Sequence, residues 1–151
     1  MISIIAIGKR HEPWIETGVE MYSKRLRAPW DIKWVLLPHS SSEGAVARQN
    51  ESQAILERLS PSDTVILLDE RGTMYDSPTL SSRLSAYFTQ GKQVVVVIGG
   101  AYGVSEALQQ RATDTWSLSQ LVFPHQLVRL LLVEQLYRAE QIDRGGKYHH
   151  E

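Results

Sequence analysis

Four groups of residues in this chain have side-chain types and spacing that chemistry could use. Gly99-Gly100-Ala101-Tyr102-Gly103 follows the uninterrupted apolar run Val94 to Ile98. Glycines there either let a backbone approach a ligand closely or serve only a tight strand-to-helix turn. Leu118 to Pro124 has Ser and Gln as its only polar residue types. It reads equally as a buried connection whose backbone groups bond inside the fold, or as a segment whose N–H and C=O groups meet a flat heterocycle. Arg129 stands alone in the apolar run Leu127 to Val133. It is either a snorkelling side chain or carboxylate partner, or a guanidinium positioned for a phosphate or a base. Finally, Tyr148-His149-His150-Glu151 follows Gly145-Gly146. A free tail is the plain reading; the functional one is a Tyr that stacks on a base and a His that bonds to it or takes a proton.

Composition removes several classes of function. The chain has 151 residues and no cysteine, so disulfides and thiolate metal sites are excluded. Two adjacent histidines without further ligands make a poor metal site, and no metal is expected. The loop after Ile98 is neither a dinucleotide fingerprint nor a Walker A sequence, which turns the reading away from NAD and ATP. Lys9 and Arg10 follow the first apolar run instead of preceding it. No signal peptide, membrane partner or membrane span is therefore expected, and a cytoplasmic location is. A net charge of −1 is too low for a protein that coats nucleic acid generally, though it leaves room for a local patch.

The elements that must hold these residues follow from the hydrophobic pattern. Ile2 to Ile7, Ile32 to Leu37, Thr64 to Leu68 (ending at Asp69) and Val94 to Ile98 read as strands, with a fifth over Thr115 to Leu118. Pro13 suits the first turn of an amphipathic helix carrying Trp14, Ile15, Gly18, Val19 and Tyr22 on one side. Ser40 and Glu43 have capping-box spacing before a helix to about Leu59. Ser77-Pro78 is a cap and first-turn pair for a helix ending near Gly91, and Ser105 caps a short one. The last helix runs from His125 to about Ile142, where Gly145-Gly146 stop it. Its apolar residues cover most of its circumference, which calls for burial on most sides, most economically against a second copy of the chain in a C2 dimer, otherwise as a central helix in a monomer's core. Alternating strands and helices imply one α/β domain over residues 1–151, a mostly parallel sheet with helices on both faces.

The order of motifs resembles, end to end, the bacterial large-subunit rRNA (pseudouridine-N3)-methyltransferases of the SPOUT class. The shared features are Ile4 to Lys9, Leu68-Asp69-Glu70 with Gly72, Ile98-Gly99-Gly100, Trp116-Ser117-Leu118-Ser119 and Phe123-Pro124-His125-Gln126. Arg129 with Glu134-Gln135-x-Tyr137-Arg138-Ala139, then Tyr148-His149, complete the set. The resemblance implies a C-terminal trefoil knot, which topology rules alone do not propose. It implies S-adenosylmethionine as cofactor, held by Leu68, Gly99, Gly100, Leu118, Ser119, Gln120, Leu121, Val122 and Phe123. It also implies a homodimer acting on assembled ribosomes, at a pseudouridine in a stem-loop of the large-subunit (23S) rRNA. Catalytic parts would fall to His149, Tyr148, Arg129 and Glu134, with Arg129 stabilising an imide anion. Substrate contacts would fall to His125, Arg138 and His150. Ala101-Tyr102, Lys147 and His150 depart from the residues familiar at those places. A SPOUT methyltransferase with another RNA target, or a ribosome-associated protein without catalysis, are the alternatives.

Overall fold

The computed structural model describes residues 1–150 and forms one five-stranded sheet, ordered β2-β1-β4-β3-β5. Its strands are β1 (Ile2–Ile7), β2 (Ile32–Leu37), β3 (Thr64–Met74), β4 (Val94–Ile98) and β5 (Asp114–Ser117). Every ladder between them is parallel. The helices are α1 (Pro13–Ser23), α2 (Gly44–Leu56), α3 (Ser77–Thr89), α4 (Glu106–Arg111) and α5 (His125–Asp143).

Strand side chains alternate between faces, and each face builds its own core. Ile2, Ile4, Ala6, Ile66, Val94, Val96 and Ile98 meet Ile15 and Val19 of α1, Leu80 and Leu84 of α3, and Leu132, Val133 and Leu136 of α5. Ile5, Ile7, Val65, Leu67, Val95 and Val97 meet Ile55 of α2 and Leu108 of α4. Helices on both faces explain why β4 is buried at every residue.

Local chemistry moves several boundaries. Asp76, not Ser77, caps α3, its carboxylate accepting from the Thr79 N–H at 2.8 Å. Ser40 does not cap α2; Glu43 holds that place without a side-chain bond, and the Ser40 N–H donates instead to Glu51 Oε2 at 3.0 Å. That helix closes at Leu56, short of Leu59. Ser105 does cap α4, accepting from the Leu108 N–H. β3 does not end at Asp69: after Leu68 it leaves β4, shifts register, and pairs Thr73 and Met74 with Trp116 and Ser117 of β5. The polar stretch Asp69 to Gly72 lies in that irregularity and so hides the strand's continuation. β5 itself begins and ends one residue earlier than its apolar pattern implies.

Much of the wide apolar girdle of α5 is accounted for by the second of its two sequence readings, a helix packed within one chain. α5 contacts both α1 and α3, and Leu132, Val133, Leu136 and Ala139 are fully buried within a single chain. A second copy is not needed to cover that part of the helix. Of the four tryptophans, Trp30 and Trp116 are buried, Trp34 half-buried and Trp14 exposed on α1.

Candidate active site

The carboxyl ends of β4 and β5, with β3 at its register shift after Leu68, open into a cleft of about 220 Å³. Parallel α/β sheets place their ligands at this edge, where strands end and loops diverge. Leu68 and Ile98 floor the cleft, and the loop Gly99 to Val104 forms one wall. That loop turns back on itself, the Gly103 N–H donating to the Gly100 carbonyl at 3.1 Å. Gly99 has no room for a side chain, since a Cβ there would sit 2.6 Å from Val104 Cγ1.

The opposite wall descends from β5. Leu118, Leu121, Val122 and Phe123 face the cleft, with Val128 of α5 behind them. Among the described residues, 119–123 make no backbone–backbone hydrogen bond. The segment is shaped by Ser117 Oγ donating to the Ser119 carbonyl at 2.8 Å and by the Leu121 N–H donating to Ser119 Oγ at 3.0 Å. The rest of its main chain is thus left to other partners, between apolar side chains. Leu68, Gly99, Gly100, Leu118, Ser119, Leu121, Val122 and Phe123 all line the cleft; Gln120 does not.

Leu118 and Phe123 are also one side of a second, more open groove of about 630 Å³. Tyr75, Trp116, Gln135 and His149 are among the residues that line the rest of it. The two spaces therefore share a wall, with His125 in the first and His149 in the second.

The tail is docked, not free, and Glu134 docks it. Its Oε1 accepts from Tyr148 Oη at 3.1 Å and from Arg138 Nε at 3.1 Å, and Arg138 Nη2 closes an ion pair on the same oxygen. Tyr148 stacks edge-on against Tyr137 at 4.7 Å, with the Arg138 guanidinium over its ring at 4.8 Å. Burial, then the Tyr22 hydroxyl and the Glu134 charge, push the Tyr148 phenol well above its ordinary pKa. Tyr148 is thus a donor near neutral pH and not a base. Glu134 is equally committed, and it lines neither space. Its place in the geometry is to orient the tail.

Arg138 Nη1 lies 3.2 Å from His149 Nδ1. A guanidinium only donates, so Nδ1 must accept and a neutral His149 carries its proton on Nε2. His150 is exposed at the end of the described tail, while Glu151 lies outside the described residues.

Arg129 does not reach a cleft. It is 1% exposed, and both terminal nitrogens of its guanidinium are taken up by the turn after β1, while its buried Nε has no hydrogen-bond partner. Nη2 donates to the Ile7 and Gly8 carbonyls at 2.9 and 3.1 Å, and Nη1 to the Arg10 carbonyl at 3.0 Å. Gly8 permits this approach: its φ is +116°, and a Cβ there would lie 2.9 Å from Arg129 Nη2. Gln126 adds a second stitch, donating to the Arg10 carbonyl and accepting from the Glu12 N–H. The expected role of Arg129 in stabilising an imide anion is corrected accordingly. It fixes the first turns of α5, and with them His125 and Val128 in the cleft.

His11 stands against this cation, Nδ1 at 3.2 Å from Arg129 Nη1. Burial, and then the Arg129 charge, hold its pKa below the ordinary 6.5. The unfolded chain therefore takes up this proton first, and stability should decline as pH falls through about 6.5 until the folded imidazole protonates too. In His11→Asn, urea unfolding compared between about pH 7.5 and about pH 5.5 should lose this part of the pH dependence. An unchanged slope would detach His11 from it.

Three residues at the cleft carry no signal in the sequence beyond their motif: Asp69, Glu70 and Arg71. They lie in the irregularity of β3, which the short apolar pattern ending at Leu68 conceals. Tyr22, which meets the Tyr148 hydroxyl at 3.4 Å, is likewise legible in sequence only as part of a face of α1.

Together these features define a parallel α/β protein with a ligand cleft at the carboxyl edge of its sheet, walled by a glycine loop and a main-chain-open segment. A family model described as "Predicted SPOUT methyltransferase" matches residues 1–149. The chain belongs to the SPOUT methyltransferase family, and membership implies a methyl donor. Among curated relatives, the ribosomal RNA large subunit methyltransferase H of Bacillus pumilus is 40% identical over 156 residues, 98% of either chain. Proteins of the same name from Geobacter sp. (strain M21) and Hahella chejuensis are 38% and 35% identical, each over 99% of both chains. A solved methylase-family protein from Neisseria gonorrhoeae shares the fold at a TM-score of 0.54, with 13% identity, over 99% of this chain and 86% of that one. No helix among the described residues is long and apolar enough to cross a membrane, and none of their acidic and histidine side chains group as a metal site.

Proposed function

We propose that the chain is a single-domain, cytoplasmic enzyme that methylates N3 of a pseudouridine in large-subunit rRNA of assembled ribosomes, with S-adenosylmethionine as donor. The observation that carries this is the segment 119–123: a main chain with no backbone–backbone hydrogen bond, only the Ser119 carbonyl and Leu121 N–H being held by serine hydroxyls, set between Leu118, Leu121, Val122 and Phe123. Such a wall suits adenine, whose edge takes backbone hydrogen bonds while its faces take apolar contact. The rRNA target comes from the names of the relatives, and the position on the base from the motif resemblance that runs from Ile4 to His149.

When bound, the cofactor would supply an electrophilic methyl group. The chain's part is to hold the two reactants in line across the wall formed by Leu118 and Phe123. The imide N3–H must lose its proton, to water, as the N3–methyl bond forms. His149, with Nδ1 held by Arg138, offers Nε2–H to a carbonyl oxygen of the base and so spreads the developing charge. Arg138, His125 and His150 are proposed to meet the RNA. The knot belongs to this reading too, as the threading of the segment after β5 into α5. So does the homodimer: Leu121 and Val122, 69% and 79% exposed, form an apolar lip that a second copy would cover.

Gly99→Ala tests the cofactor cleft. Its new methyl would strike Val104 and displace the loop, and overpacking of this kind should weaken S-adenosylmethionine binding about tenfold or more by calorimetry. Unaltered affinity would place the cofactor elsewhere.

A further inference from the structure

The cleft is sharply divided in character. One wall is apolar, while the charged groups gather at one corner, where Asp69, Glu70 and Arg71 follow Leu68. Arg71 folds back onto Asp69: Nε reaches Oδ1 at 3.0 Å and Nη2 reaches Oδ2 at 2.8 Å. The Arg71 N–H also donates to Oδ1 at 2.8 Å, so the backbone presents the carboxylate. Asp69 is 13% exposed and Arg71 is 71% exposed, so the arginine can swing about a fixed acid. These hydrogen bonds hold the Asp69 carboxyl below the usual carboxylate range, ionised at working pH.

We propose that Asp69 and Arg71 form the subsite for the α-amino-acid end of the methyl donor, Asp69 taking the ammonium and Arg71 the carboxylate. This rests on the reading of the cleft as the donor's site. The fit is one of charge as well as place. Two carboxylates and one guanidinium give the corner a net charge of −1, against the net +1 of a sulfonium joined to a zwitterion. The Asp69–Arg71 pair is itself an internal stand-in for the zwitterion. Binding exchanges one ion pair for two charge-assisted ones, one of them the bidentate fork that guanidinium makes with carboxylate. The apolar wall is left for the adenine, so the corner fixes which way the donor lies.

The test compares two neutral-sulfur ligands: S-adenosylhomocysteine, which has the amino-acid end, and 5′-methylthioadenosine, which has a methyl group in its place. In Arg71→Gln, calorimetry should show S-adenosylhomocysteine weakened about tenfold while 5′-methylthioadenosine stays within about twofold. Asp69→Asn, which can keep the backbone bond to Arg71, should show the same selectivity. Equal weakening of both ligands, or no change in either, would overturn the subsite. If the wild-type protein binds neither ligand, it is the donor cleft itself that fails.

Discussion

Arg129→Ala is expected to lower the unfolding free energy by about 3 kcal/mol, because two buried carbonyls lose their only side-chain donor and each costs roughly 1–3 kcal/mol unpaired. The carbonyls are those of Ile7 and Gly8, both on buried residues at the end of β1, where the sheet no longer supplies partners. The Arg10 carbonyl is on an exposed residue and can turn to water, so it adds little. Relief of a buried cation works the other way: burial alone holds the Arg129 pKa below its ordinary value. Arg129→Met separates the effects, filling most of the volume while offering no donor. Urea unfolding should find Met nearly as destabilising as Ala, and Lys in between. If Met were neutral, packing and not carbonyl capture would be what Arg129 provides.

Glu134→Ala is expected to cut methyl transfer by about a hundredfold while leaving cofactor affinity within about twofold, since misplacing a group by about 1 Å can cost that much. Three contacts end on its Oε1, from Tyr148, Arg138 Nε and Arg138 Nη2. Without them Arg138 no longer holds His149 Nδ1, and the imidazole loses both its place and its tautomer. The proposed cofactor contacts line the other cleft, beyond Leu118 and Phe123, and should not feel the change. Glu134→Gln keeps an acceptor for Tyr148 but loses the ion pair, so single-turnover rates should fall less. A rate loss matched by lost cofactor binding would mean the tail shapes the cleft itself.

Much of this molecule is legible in its amino-acid sequence. β1, β2 and β4 fall on their expected residues because each is a short, mainly aliphatic or aromatic run, rich in β-branched residues and closed by Gly or Pro. The parallel sheet follows from their alternation with helices. The departures have physical causes. Asp76 and Ser77 both suit a cap, and Pro78 tolerates either frame, so only the Thr79 N–H bond decides. Ser40 has the right spacing to cap α2 but is drawn to Glu51, which no local rule anticipates. Motif order names most of the cleft residues, yet although it includes Asp69 and Glu70 it assigns no role to the corner at Asp69 to Arg71, where the strand continues through an irregularity. Arg129 stands out in sequence as unusual, but the backbone carbonyls it takes are not among the partners its pattern offers. Its contacts lie more than a hundred residues away along the chain, and an arginine in an apolar helix gives no sign of whether it faces a ligand or a carbonyl.

The decisive experiment is transfer of labelled methyl from S-adenosylmethionine to ribosomes that lack the modification, followed by mapping of the labelled nucleotide. The expected result is label on N3 of a pseudouridine in large-subunit rRNA, and its near loss with Glu134→Ala. Label on any other nucleotide, or no label from protein that binds the cofactor, would contradict the proposed function.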